Sequence, residues 1–346
     1  MNEWSWLGPS IAMTALSGVI AIVLIPDTSG VMPAIGMLPF WMIAAVLFGS
    51  LYGVIEMARA GVQHPLSHSA RFFVEEWRKL AFWTLCMLLA GINMTTFMWI
   101  KPLLNYLVPF WADPMLADID KVLFLDRDPW TILATLNSTA AAVFYHRGWF
   151  VMMILALIVV LSAPPSAQKS AAMLTYFLCW SVVGPLIHMV LPAAGPIFYM
   201  QMGYGDRFAA LQNVSETREV AAYLWALYAG EGFGPGSGIS AMPSLHIATT
   251  AWMVLVARAF TPRLFVPTLL LGVAIFLLSI ALGWHYAMDG IVGGIAAWLC
   301  WRIAYAFYAG RLRQRAIVNT SATENQGGRR IEAPPANGVV KPGAET

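Results

Sequence analysis

The 346-residue chain is 59% hydrophobic, only 11% charged, and carries a formal net charge of +2. Soluble domains hold about 25% charged residues, so this composition excludes a water-soluble globular protein and indicates a single integral membrane domain. So small a net charge argues against nucleic acid or another polyanion as partner.

Continuous apolar runs predict an all-α polytopic membrane protein with about eight transmembrane helices. They fall at residues 11–25, 37–57, 80–100, 149–161, 171–191, 246–257 with flanks, 264–282 and 286–308. The first and fourth are short for a crossing of the ~30 Å hydrocarbon core. Only Glu3 and no Lys or Arg precedes the first run, unlike the basic start of a cleavable signal peptide, so that span is expected to stay. Cys86, Cys179 and Cys300 each lie in a span, where a thiol acts as a small apolar group, and no disulfide is expected.

Basic residues collect after the second span (Arg59, Arg71, Arg78, Lys79), after the sixth (Arg258, Arg263) and after the last (Arg311, Arg313, Arg315). Eight crossings put these on one side, which the positive-inside rule makes cytoplasmic together with both termini. The other side receives two long loops. Residues 102–147 hold Asp113, Asp118, Asp120, Asp126 and Asp128. One or two interfacial helices anchored by Trp111 and Trp130 are expected there, against the plainer reading of a solvated connector. Residues 192–240 carry a helical stretch near 215–228 and a glycine-rich run over 230–238, able to fold close over a ligand. From residue 316 the chain turns polar and rich in Gly, Pro and Asn, which predicts a disordered cytoplasmic tail over 316–346 behind one membrane domain, 1–315.

Two stretches carry chemistry: Ala241-Met242-Pro243-Ser244-Leu245-His246 and Gly283-Trp284-His285-Tyr286-Ala287-Met288-Asp289-Gly290. The thirty-nine positions between the histidines match two crossings at about 20 residues each, so both return to one membrane face. Pro243 and Ser244 suit a helix start, whose free N–H groups attract phosphate. His285 and Asp289 are four apart, hence on one helical face. A carboxylate on one ring nitrogen fixes the tautomer and frees the other to attack or to take a proton. Ionisable groups in a span are costly and by default functional. Each histidine alone reads as a satisfied interfacial residue; three such groups at the hairpin spacing read as an active site. Two histidines and an aspartate can also ligate zinc with an open position, but no HExxH motif or cysteine cluster accompanies them. His188 is expected to bond a neighbouring carbonyl, His64, His68 and His146 to be surface or interfacial, and Glu56 to pair with Arg59.

PSLH opening a span, followed two crossings later by HYAMD and Gly290, resembles the type 2 phosphatidic acid phosphatase superfamily. Within it the chain looks most like the branch of inositol phosphorylceramide and sphingomyelin synthases. The likeness is good over about residues 190–300 and looser over 113–130. It implies a six-helix phosphatase-like core, here at about 148–310, with extra N-terminal helices, and cleavage of a phosphoester through a phosphohistidine. By position His285 would be the nucleophile, Asp289 its orienting carboxylate, and His246 the acid that protonates the leaving alcohol. Ser244 and nearby amides would hold phosphate oxygens. No metal or other cofactor is implied; the partners are the bilayer and lipid substrates.

The phosphatase pattern has an early Lys-x6-Arg-Pro stretch and an Arg six residues before the second histidine. Here that position is Ser279, and only Lys101-Pro102 is reminiscent of the first. The transferase branch lacks these cations too, and a monoanionic phosphodiester needs less positive charge than a dianionic monoester. The expected function is therefore transfer of a phosphorylated head group, such as inositol phosphate, between lipids. The alternative is a lipid or polyprenyl phosphate phosphatase of the same superfamily, and outside the enzymes a transporter or scaffold on the same fold. Arg207, Arg218 and Lys101 are the candidate phosphate-binding cations. The protein is expected in a membrane (the inner membrane if bacterial), with its active site on the extracytoplasmic face.

Overall fold

The computed structural model describes residues 3–24, 31–211, 214–230 and 232–328, and every regular element among them is helical. Helices α1 (Trp4–Leu24), α2 (Val31–Gly36), α3 (Leu38–Arg59), α4 (Pro65–Glu75) and α5 (Trp77–Leu107) precede the first long loop. That loop carries α6 (Asp113–Leu123), α7 (Pro129–Ile132) and α8 (Thr139–Val143). Through a π turn at Phe144–Gly148, α8 continues into α9 (Trp149–Ser162). Likewise α10 (Ala167–Leu178) passes through a π turn, Cys179–Val183, into α11 (Gly184–Val190). Helix α12 (Ser215–Ala229) lies in the second long loop, and α13 (Leu245–Phe260), α14 (Phe265–Ala281) and α15 (Ala287–Gly328) follow.

Seven stretches are long and apolar enough to cross a membrane, and α13, with 16 residues, is a shorter apolar helix beside them. The protein is an all-α, multi-pass integral membrane protein. The two runs that look short in the sequence are full spans, Trp4–Leu24 and Thr139–Ser162. Polar and aromatic residues at their starts, which dilute the apolar signal, are helical nonetheless. Residues 316–328, expected in a disordered tail, continue α15. No proline interrupts the chain there, and each added residue closes one more backbone bond. Residues 329–346 of that tail lie outside the described residues.

Helix α13 is packed among α15, α9, α14 and α10. Its Trp252 is fully buried and donates its indole N–H to the Ala172 carbonyl of α10, while Trp149 of α9 donates to Thr249 Oγ1. Asn93 in α5 donates to Thr14 of α1 and to Ser181 of the second π turn. Such side-chain bonds join helices where lipid offers no hydrophobic drive. At the opposite helix ends from the histidines, buried Lys169 reaches Glu3 at 2.6 Å and two carbonyls, and Glu56 pairs with Arg59 as expected.

The approach of α15 to the start of α13 depends on Gly293. A Cβ built there would lie 2.6 Å from the Ser244 carbonyl oxygen, a backbone atom that cannot step aside. Gly293→Val is expected to cost about 1–3 kcal/mol through overpacking, seen as a lower thermal midpoint in detergent. An unchanged midpoint would mean that the two helix starts are not held at this distance.

Candidate functional site

Three loops and two helix starts meet at one end of the bundle. Ser244 opens α13 as its N-cap, with its hydroxyl accepting the Ile247 N–H. Its own N–H bonds the main-chain carbonyl of Asp289, in the first turn of α15. Three residues earlier, Ala241 donates its N–H to the Ala193 carbonyl and accepts from the His285 ring. In the last turn of α14, Ser279 is fully buried, and its carbonyl receives the N–H groups of Trp284 and His285.

His285 Nδ1 lies 2.9 Å from the Ala241 carbonyl oxygen and 3.4 Å from Asp289 Oδ2. A carbonyl oxygen only accepts, so Nδ1 carries the proton and Nε2 keeps its lone pair. Asp289, fully buried, also accepts the Tyr286 N–H at 2.9 Å. The expected i,i+4 pair is therefore made, although α15 begins two residues after His285. His246, in the first turn of α13, packs against Trp149 and Tyr145 with ring centroids 4.2 and 4.7 Å away. Its ring centroid is 6.5 Å from that of His285, at an interplanar angle of 54°. Both imidazoles thus reach one tetrahedral group placed between them. The first-turn N–H groups of Leu245 and His246 have no acceptor among the described residues, as is usual at a helix start.

The remaining residues singled out in the sequence divide. Lys101, half-buried in α5, is within electrostatic reach of His246 and His188 and has no ion pair among the described residues. Arg207 does not face the histidines: it is tied to Asp118 at 2.7 Å, to Asp128 at 2.6 Å and to the Ala117 carbonyl. Arg218 is exposed on α12. The Ser244 hydroxyl is engaged in capping α13, and its N–H in joining the two helix starts. His188 Nδ1 is paired with the Ser240 hydroxyl at 2.9 Å, and its ring also has the Met242 backbone as a hydrogen-bond partner. His64 and His68 are exposed as expected, but His146 is not a surface residue; its ring sits 5.9 Å from His246 and 5.7 Å from Trp284.

Sequence reading also missed what α6 does. Asp113 and Asp120, seven residues apart on its buried face, are almost fully buried. Asp113 accepts the N–H groups of Ala194 and Gly195 and the Tyr286 hydroxyl. At Gly195, φ is +100° and a Cβ would lie 2.5 Å from the Trp284 carbonyl oxygen, so no other residue fits this strap. Asp120 accepts the N–H groups of Ala287 and Met288, the first turn of α15. Trp130 packs inward on Phe208 rather than anchoring an interface, while Trp111 is exposed. Next to His285 and Tyr286, a small, partly open pocket is lined by Asp120, Asp128, Trp130 and Phe208.

Burial raises the Asp120 carboxyl to about 6, against the lowering effect of the two α15 N–H bonds; Asp289 and Asp128 add to the rise. The unfolded carboxyl ionises near 4. Between about pH 4 and pH 6 the folded protein thus holds a proton that the unfolded chain has released. Stability from this group is complete below pH 4 and is lost as pH rises through 6. Asp120→Asn, which cannot ionise, is expected to flatten that stretch of the stability profile. Melting curves from pH 4 to 8 test this, and equal slopes for variant and wild type would remove Asp120 as the cause.

A sequence model of the PAP2 superfamily matches residues 114–303, more than half of the chain and inclusive of both histidine stretches. No curated protein and no solved structure matches it.

Proposed function

The chain belongs to the PAP2 superfamily, and from that premise we propose that it is a membrane-embedded lipid phosphotransferase working through a phosphohistidine at His285. The observation that carries this reading is the pair of imidazoles 6.5 Å apart, one of them with Nδ1 fixed between the Ala241 carbonyl and Asp289.

In the first step His285 Nε2 attacks phosphorus in line. An N–P bond forms, the P–O bond to the leaving alcohol breaks, and His246 gives that oxygen a proton. Asp289 and the Ala241 carbonyl stabilise the charge that develops on the His285 ring. In the second step His246 takes the proton of an acceptor alcohol, whose oxygen displaces His285 and restores both rings. The first-turn N–H groups of Leu245 and His246 and the Lys101 ammonium are the donors available to phosphate oxygens. Ser244 acts by setting the start of α13, and Arg207 by holding α6 to the loop after Tyr199, not by touching phosphate.

A single unpaired lysine supports a monoanionic phosphodiester donor, and hence transfer of a head group such as inositol phosphate to a lipid alcohol. The basic residues Arg59, Arg78, Lys79, Arg258 and Arg263 sit at the helix ends away from the histidines. That distribution supports an extracytoplasmic site with the N-terminus inside.

The test is a turnover assay on reconstituted protein with radiolabelled phosphatidylinositol, with and without a diacylglycerol or ceramide acceptor. Label moving to the acceptor lipid is the expected result. Inorganic phosphate released instead, from a phosphomonoester lipid, would make the protein a phosphatase. His285→Ala is expected to lose ~10⁴-fold or more in rate, and a variant that keeps its rate would rule out the phosphohistidine.

A further inference from the structure

Around the two imidazoles several buried polar atoms have no partner among the described residues: the Tyr145 hydroxyl, His146 Nε2 and the Trp284 indole N–H. Buried polar atoms without partners are costly and uncommon, and three such atoms at one site call for an explanation. All three belong to rings that touch one another or His246. Tyr145 stacks on His246 at 19°, its centroid 4.7 Å away, and meets His146 at 4.9 Å. His146 lies edge-on to His246 and to Trp284. Trp284 immediately precedes His285.

Consecutive residues of an α-helix diverge by about 100° and do not share a face. Tyr145 and His146 both address this site because they sit in the π turn Phe144–Gly148, the kind of local widening that recurs at functional sites. An uninterrupted α-helix through 139–162 would bring Tyr145 and Trp149 to His246, four residues apart, and turn His146 away.

We propose that the Tyr145 hydroxyl and His146 Nε2–H bind the non-bridging phosphoryl oxygens of the substrate, with Trp284 closing the same side. This rests on the phosphoryl-transfer reading of His246 and His285. In the in-line transition state the charge spreads over three equatorial oxygens, and these donors stand beside the rings that attack and protonate. They are preorganised, since packing against His246 and Trp284 fixes both side chains before substrate arrives. They also add hydrogen bonds without adding a fixed positive charge. That complements a phosphodiester, which carries one negative charge, and takes the place of arginines that the site lacks.

Orthovanadate, which adopts the five-coordinate geometry of the transition state, is a probe independent of the lipid. Its binding to the purified protein in detergent is measured by isothermal titration calorimetry, with melting temperature as a control on folding. Tyr145→Phe keeps the ring stacked on His246 and deletes only the hydroxyl; it is expected to weaken vanadate about 10-fold. His146→Phe is expected to weaken it at least as much, and His146→Gln, which returns an N–H donor, to recover part of the loss. Vanadate binding to Tyr145→Phe and His146→Phe with wild-type affinity would overturn the assignment while leaving the phosphohistidine intact. Absence of vanadate binding to the wild type itself would instead overturn the phosphoryl-transfer reading on which it stands.

Discussion

The start of one membrane helix is hydrogen-bonded to the start of another, and the site exists because of that joint. Ser244 donates its N–H to the Asp289 carbonyl, and the same aspartate faces the His285 ring with its side chain. The ring in turn reaches back to Ala241, three residues before Ser244. The loop is closed through main-chain atoms, which every residue possesses, so the geometry is set by backbone path more than by side-chain choice. Gly293, which lets α15 come within contact of the Ser244 carbonyl, and Gly195, which lets its loop approach the Trp284 carbonyl, are required by their lack of a side chain. His246 and His285 are held at a working distance because each belongs to a segment bonded to the other.

Three buried carboxylates surround this joint, and burying a carboxylate is unfavourable unless it is well bonded. Asp113 and Asp120 are matched largely to backbone N–H groups rather than to cations, and Asp289 has one such N–H beside the His285 ring. A cation in those places would also draw phosphate away from His285. Amide donors take that role and leave Lys101 as the cation near the histidines. The same arrangement explains why α6, outside the spans, belongs to the site: it is the strap that ties the 193–195 loop and the first turn of α15 together.

The spans and the histidine hairpin were legible in the sequence because they depend on length and hydrophobicity alone. A run of some 20 apolar residues crosses, and two crossings return to one face. The same logic located Asp289 relative to His285, since four residues is one turn. What stayed hidden depends on contacts between distant segments. The acidic loop read as interfacial helices or a solvated connector; nothing in its local pattern announces that Asp113 and Asp120 pair with amides 81 and 167 residues away. Arg207 read as a phosphate ligand because its partners, Asp118 and Asp128, lie on the other loop. His146 read as interfacial because an ordinary helical count does not anticipate a π turn.

Helix α13 is short for a reason that bears on the chemistry. Its 16 residues rise about 24 Å at 1.5 Å each, less than the ~30 Å hydrocarbon thickness. With its basic end, Arg258, at one interface, a helix of this length would fall short of the opposite one. His246 is in the first turn at that end, packed against Trp149 and Tyr145. A phosphate brought there leaves most of its water behind, and the fixed dipoles of the helix start and the His285–Asp289 couple act at low dielectric, where they are worth most. In the proposed reaction a lipid would present its phosphoester from the membrane side, its tails staying among the apolar faces of the bundle. Lengthening α13 by one turn would move the histidine about 5 Å along the helix axis and break its register with the His285–Asp289 couple.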